Sequence, residues 1–196
     1  MRTNPGPLGP RAAGLVLLFL AFARTSLAAE TDPVVVRARV DSYLSSIDTR
    51  ISPERWHALG PEAAPILSAI AQDTTELPTR RAKALAALGI VDAATAAPLV
   101  RGLASDASAP YVVRSTAVRA APTVLGSKEA TTLLLPILRG SSSSLRARAG
   151  EALATTGTTG CQAVVSEASR RPGEESLQNS AARCHSQLDS RSAQPH

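Results

Sequence analysis

The stretch from Pro65 to Arg114 contains one pattern written twice. Ala64-Pro65-Ile66-Leu67, Asp73 and Arg81 are followed by Ala97-Pro98-Leu99-Val100, Asp106 and Arg114, so proline, aspartate and arginine each return after 33 residues. A fixed period of this length marks a chain of stacked supersecondary units, because one such unit cannot bury its apolar face alone. The apolar positions return with the period. Ile66, Leu67 and Ile70 correspond to Leu99, Val100 and Leu103, and Ala84, Leu85 and Ala87 to Ala117, Val118 and Ala120. Each unit therefore reads as two helices. Alanine and leucine dominate and strand-type runs are absent, which makes the predicted class all-α.

Helix punctuation divides the rest of the chain. Asp32-Pro33 opens an amphipathic first helix, with aspartate as N-cap and proline in the first turn, and Val36, Val40, Tyr43, Leu44 and Ile47 follow at helical spacing. Ser52-Pro53-Glu54 starts a short helix carrying Trp56, read as a core residue, and ending at Leu59-Gly60. Pro61-Glu62 starts another that runs to about Asp73. Pro78 to Leu88 is predicted to stop at Gly89, and Asp92 caps a helix to about Ser105. Pro110 to Leu125 stops at Gly126, with a bend at Pro122, and Ser127 caps a helix to Arg139 that repeats the motif as Leu135-Pro136-Ile137-Leu138. Gly140 to Ser144 reads as a surface turn, and Leu145-Arg146, matching Val113-Arg114, opens a helix to about Thr155. The last two helices are predicted at about Thr159 to Arg171 and Glu174 to Asp189.

The motif set resembles the HEAT repeat. It comprises a Pro-φ-φ-x-x-φ second helix (φ apolar), an aspartate after it, a φ-Arg-x-x-Ala-x-x-Ala-φ first helix, and Leu-Gly ends at Leu59-Gly60 and Leu88-Gly89. The likeness covers roughly residues 52 to 171. Ser144 departs from it by replacing the aspartate in the third copy, and Pro122 by standing where the family usually has glycine. The resemblance implies a right-handed α-α superhelix of about four helix pairs behind an N-terminal capping helix, with second helices lining a concave binding face. It also implies that Asp73 with Arg81, and Asp106 with Arg114, form a structural ladder between neighbouring units. It implies no ligand, and a fold of this kind serves many functions.

The N-terminus reads as an export signal. Met1 to Arg11 carry two arginines and no acid, Ala12 to Ala23 form an apolar run of twelve, and Ser26-Leu27-Ala28 offers small residues at the positions a signal peptidase reads. Twelve residues are too few to span a bilayer. Cleavage is placed after Ala28, with Ala29 as the second choice and an uncleaved anchor as the alternative. The resulting organisation is signal peptide 1–28, solenoid domain 29–189 and disordered tail 190–196, in a periplasmic or secreted protein. Cleavage removes Arg2, Arg11 and Arg24, leaving 18 basic and 16 acidic groups, a net charge of +2 instead of +5. That balance, with only Tyr43, Trp56 and Tyr111 as remaining aromatics, argues against a nucleic-acid binder.

Cys161 and Cys184 lie equidistant from the Arg171-Pro172-Gly173 turn, each on the apolar stripe of its helix. An antiparallel hairpin brings such positions opposite each other, and an oxidising compartment would join them as a disulfide; two reduced core cysteines are the alternative. Arg101 and Arg139 both stand three residues after a motif proline, about 150° from the apolar face at ~100° per residue. They are expected to be exposed and stacked one repeat apart, either as two solvated residues or as a basic strip suited to an acidic protein partner. No metal-ligand spacing, phosphate-binding glycine loop or nucleophile elbow is written in the chain, so no catalytic residue, metal or cofactor is expected. A non-enzymatic interaction scaffold is the function these features favour. The alternative is an enzyme or enzyme accessory, since bilin lyases and related maturation proteins resemble this repeat type.

Overall fold

A computed structural model describes residues 32–46 and 50–192. The expected signal peptide, Ile47 and the last four residues of the expected tail lie outside the described residues. Those described are helical throughout, with no strand among them: α1 (Pro33–Ser45), α2 (Pro53–His57), α3 (Ala63–Gln72), α4 (Pro78–Val91), α5 (Ala93–Ser105), α6 (Tyr111–Arg139), α7 (Ser143–Leu153), α8 (Thr158–Arg170) and α9 (Glu175–Ser192). From α3 onward each helix packs on its chain neighbours, and helices also meet one position further on, as in α1 with α3, α2 with α4, α3 with α5, α4 with α6 and α7 with α9.

Local chemistry accounts for most of these boundaries. Asp32 accepts a hydrogen bond from the Val34 amide at 2.9 Å, and Asp92 accepts from Ala94 and Thr95 at 3.0 and 3.1 Å, so both cap as their residue type predicts. α6 is two helices in one hydrogen-bonded run, because Gly126 interrupts it with φ 75° and ψ 164°. A side chain is strained in that region and glycine is not, so residues 111–125 end where the chain must turn. Gly89 has another role. α4 continues through it to Val91, and a Cβ there would stand 3.0 Å from Val124 Cγ2 on α6. Glycine at this position lets two helices approach and does not stop one, which corrects the predicted end at Leu88.

The core runs between the helices along the length of the chain. Leu67, Leu85, Leu88, Leu134, Leu138, Leu153 and Leu177 are fully buried, each contributing about 1.5–3 kcal/mol of transfer free energy. Alanines 84, 87, 117, 121, 149 and 152 are buried beside them and keep the helices close. Trp56 is in the core as expected, 6% exposed. At the other end α9 runs to Ser192, so the expected tail from residue 190 is helical over its first three positions.

Candidate functional site

Four side chains on successive units reach back to the end of the preceding helix. Arg81 Nε donates to the Ala71 carbonyl at 3.2 Å, Arg114 Nε to Ala104 at 2.9 Å, Arg146 Nη1 to Gly140, and Gln178 Nε2 to Ala168 at 2.8 Å. Residues 81, 114, 146 and 178 are spaced 33, 32 and 32 apart, so the period persists into α9 with glutamine in place of arginine. The last carbonyls of a helix lack intrahelical donors, and a long side chain from the next unit satisfies them.

This geometry corrects the expected Asp–Arg ladder. Asp73 accepts instead from the Thr75 hydroxyl and amide at 2.7 and 2.9 Å, and Asp106 from Ser108 at 2.6 and 2.8 Å. Each aspartate is the first residue beyond its helix, where a short acidic side chain folds back onto the chain two residues ahead and closes the turn locally. The Thr75 hydroxyl bond is the main cause holding the Asp73 carboxyl below its ordinary value, and the charge of Arg81 contributes least. Ser108 does the same for Asp106, again with the arginine, Arg114, as the smallest contribution.

The predicted basic strip is not assembled as expected. α5 and residues 127–139 are both thirteen residues long and bury equivalent positions, Ala96, Val100 and Ala104 in one and Ala130, Leu134 and Leu138 in the other. Pro98 lies two residues before the central Val100, whereas Pro136 lies two residues after the central Leu134. The third motif is thus displaced by one helical turn, and Arg139 stands at the level of Ser105, about 6 Å along the axis from the level of Arg101. Arg101 is exposed as expected but paired, Nε to Glu129 Oε1 and Nη2 to Oε2 at 3.2 Å. That contact holds the Glu129 carboxyl below its usual range. Arg139 is exposed at the end of α6.

A concavity of about 520 Å³ lies beside these residues. Arg114 forms part of its wall, with Thr132, Leu133 and Ile137 from α6 and Ser142 and Leu145 from the start of α7. Arg114 is half-buried, and its only hydrogen bond among the described residues is the one from Nε. One unit on, Arg146 is 3% exposed and donates Nε and Nη2 to the two Glu174 oxygens at 2.7 and 2.5 Å. Glu167, 4% exposed, joins this region through Arg171 at 2.6 Å and Arg170 at 3.5 Å. The roles of Glu129, Glu174 and Gln178 were missed from sequence. The 32-residue spacing from Arg114 through Arg146 is the signal that would have found Gln178.

Cys161 and Cys184 are brought together, sulfurs 2.16 Å apart and Cα atoms 5.0 Å apart, at disulfide distance. Both are buried between α8 and α9. His57 and His185 are exposed on different helices, and no group of three metal-ligating side chains is found among the described residues. No described helix is long and apolar enough to cross a membrane. Comparison with family models, with curated proteins and with solved structures finds no match.

Proposed function

We propose that this chain is an exported, non-enzymatic interaction scaffold, a HEAT-like right-handed solenoid of four helix pairs whose second helices present the face that a partner protein occupies. The observation that supports it best is the recurring rung at residues 81, 114, 146 and 178, which ties each unit to the helix before it at a spacing of 32 or 33 residues. A repeat stack held in this way is stiff and one-dimensional, and its use is to hold an extended surface in fixed shape. The outward positions of the second helices carry Pro65, Pro98, the Arg101–Glu129 pair, Thr132, Arg139 and Ser166, all exposed or half-exposed. Export to an oxidising compartment is supported by the buried cysteine pair at disulfide distance, because such bonds persist where thiols are not kept reduced.

The test is photo-crosslinking in the producing cell from single positions on the two helix rows. A crosslinker at Pro98 or Ser166 is expected to capture one discrete protein, and the same crosslinker at Arg119, exposed on a first helix, to capture none. The Arg101→Ser, Arg139→Ser double variant is expected to weaken that capture and its salt dependence. Equal capture from both rows, or none from the second row, would overturn the scaffold reading.

A further inference from the structure

The rungs are repeats of one another, so a group that one rung holds shows what another can accept. Arg146 N donates to Ser142 O at 2.9 Å and Gln178 N to Glu174 O at 2.9 Å, which makes Ser142 and Glu174 the same position, the residue opening α7 and α9 respectively. Glu174 follows Arg146 by 28 residues, and Ser142 follows Arg114 by the same 28. In the later unit the guanidinium grips the Glu174 carboxylate with two N–H groups. In the earlier unit the side chain at that position is a short neutral serine, and the space beside it is the 520 Å³ concavity.

We propose that this concavity is a binding site for a carboxylate carried on a short apolar body, with Arg114 as its anchor. Arg114 gives its Nε to the Ala104 carbonyl, so the Nη1–Nη2 edge is the one available to the ligand. Two parallel N–H groups of a guanidinium match the two oxygens of a carboxylate, a geometry that lysine or a hydroxyl cannot supply. Leu133, Ile137 and Leu145 line the same concavity and fit the apolar part, while the Ser142 hydroxyl, which only accepts from the Leu145 amide, adds a donor. The anion is a carboxylate because the chain places one at the corresponding position against Arg146, there on the Nε–Nη2 edge since Nη1 serves the Gly140 carbonyl, where Arg114 offers its Nη1–Nη2 edge. The site stands independently of the scaffold reading, since it requires no protein partner.

The experiment follows the arginine side-chain N–H resonances of the purified protein by NMR during titration with butanoate, with butyramide as the neutral isostere. Saturable shifts of the Arg114 resonances with butanoate and none with butyramide are expected. Arg114→Gln is expected to lose about tenfold or more in affinity. Because that change also removes a rung, Ser142→Glu provides the second variant. It should supply the carboxylate internally, abolish butanoate binding and raise Tm. A short peptide with a free C-terminus, run against its C-terminal amide, distinguishes the source. Tighter binding of the free-ended peptide assigns a peptide carboxylate, and binding of butanoate alone a free acid. No saturable shift with either acid, equal shifts with butyramide, or butanoate binding retained in Ser142→Glu overturns the site.

Discussion

The first and last described helices, α1 and α9, are held to the rest of the chain by different chemistry. At the N-terminal end α1 is held by rings and long cations. Tyr43 meets Trp56 edge-on at 5.2 Å, Arg55 lies 5.0 Å from the Tyr43 ring centroid, and Lys83 Nζ donates to the Leu44 and Ser46 carbonyls at 3.1 and 2.7 Å. At the C-terminal end α9 is held by the Cys161–Cys184 pair, by Gln178, and by the Arg146–Glu174 contact. The first end combines packing with an ion pair, Arg80 Nη2 to Asp41 Oδ1 at 2.5 Å, and is indifferent to redox state. The second carries no aromatic residue, and depends on a covalent bond and on charge. An end that cannot bury a large ring gains its order by limiting the unfolded chain instead.

The largest effect expected from this contrast is at the ring end. Trp56→Ala removes a side chain that is 6% exposed, and truncations of this kind cost about 3–5 kcal/mol. Denaturant unfolding should show that loss, with hydrogen exchange accelerating in α1 to α3 and not in α9. Exchange rising equally at both ends would mean that the ends are one cooperative unit and the contrast has no energetic content.

Next comes the covalent end. The cysteines are 23 residues apart, and closing a loop of that size contributes about 3 kcal/mol on the chain-entropy account. The Cys161→Ala, Cys184→Ala double variant should lose roughly that amount, and α8 and α9 should lose exchange protection while α1 to α3 keep theirs. A reductant should act in the same way on the unmodified protein and leave the double variant unchanged. Asp92→Ala, between the two ends, sets the scale of an ordinary local loss at about 1 kcal/mol, because it removes only an N-cap.

What could be read in the sequence follows the range of the interaction responsible. Caps at Asp32 and Asp92, the break at Gly126 and the pairing of Cys161 with Cys184 depend on residues close in sequence or on the symmetry of one hairpin, and all are found where expected. Gly89 was misread because glycine at the end of a helical pattern has two uses, and only the position of Val124 decides between them. The third motif was matched by its proline, although the buried residues Ala130, Leu134 and Leu138 set the register, and that moved Arg139 by a turn. The arginines of the rungs were identified but not their acceptors, since a carbonyl has no letter in the sequence. The cavity at Arg114 was not legible at all. It arises where a serine occupies a position that holds glutamate one unit later, a difference that has meaning only once the two positions are superposed.

The smallest effect distinguishes the ends by pH. Arg146 beside Glu174 holds its carboxyl below the ordinary value of 4.5. A carboxylate depressed by folding contributes stability that is fully present above the unfolded-chain value and is lost as pH falls through the folded one. Acidification below about pH 4.5 should therefore loosen α9, by at most about 1 kcal/mol because Glu174 remains partly open to solvent. Asp73, Asp92, Asp106 and Glu129 are also depressed and share the window, so the whole-protein acid limb is not diagnostic. The difference between the unmodified protein and Glu174→Gln is. In that variant exchange in α9 should be faster at neutral pH and should change less on acidification, while α1 to α3 behave identically in both proteins. If the acid response of α9 is unaltered by Glu174→Gln, the charge at this end is ornamental and the cysteine pair alone distinguishes it from the ring-packed end.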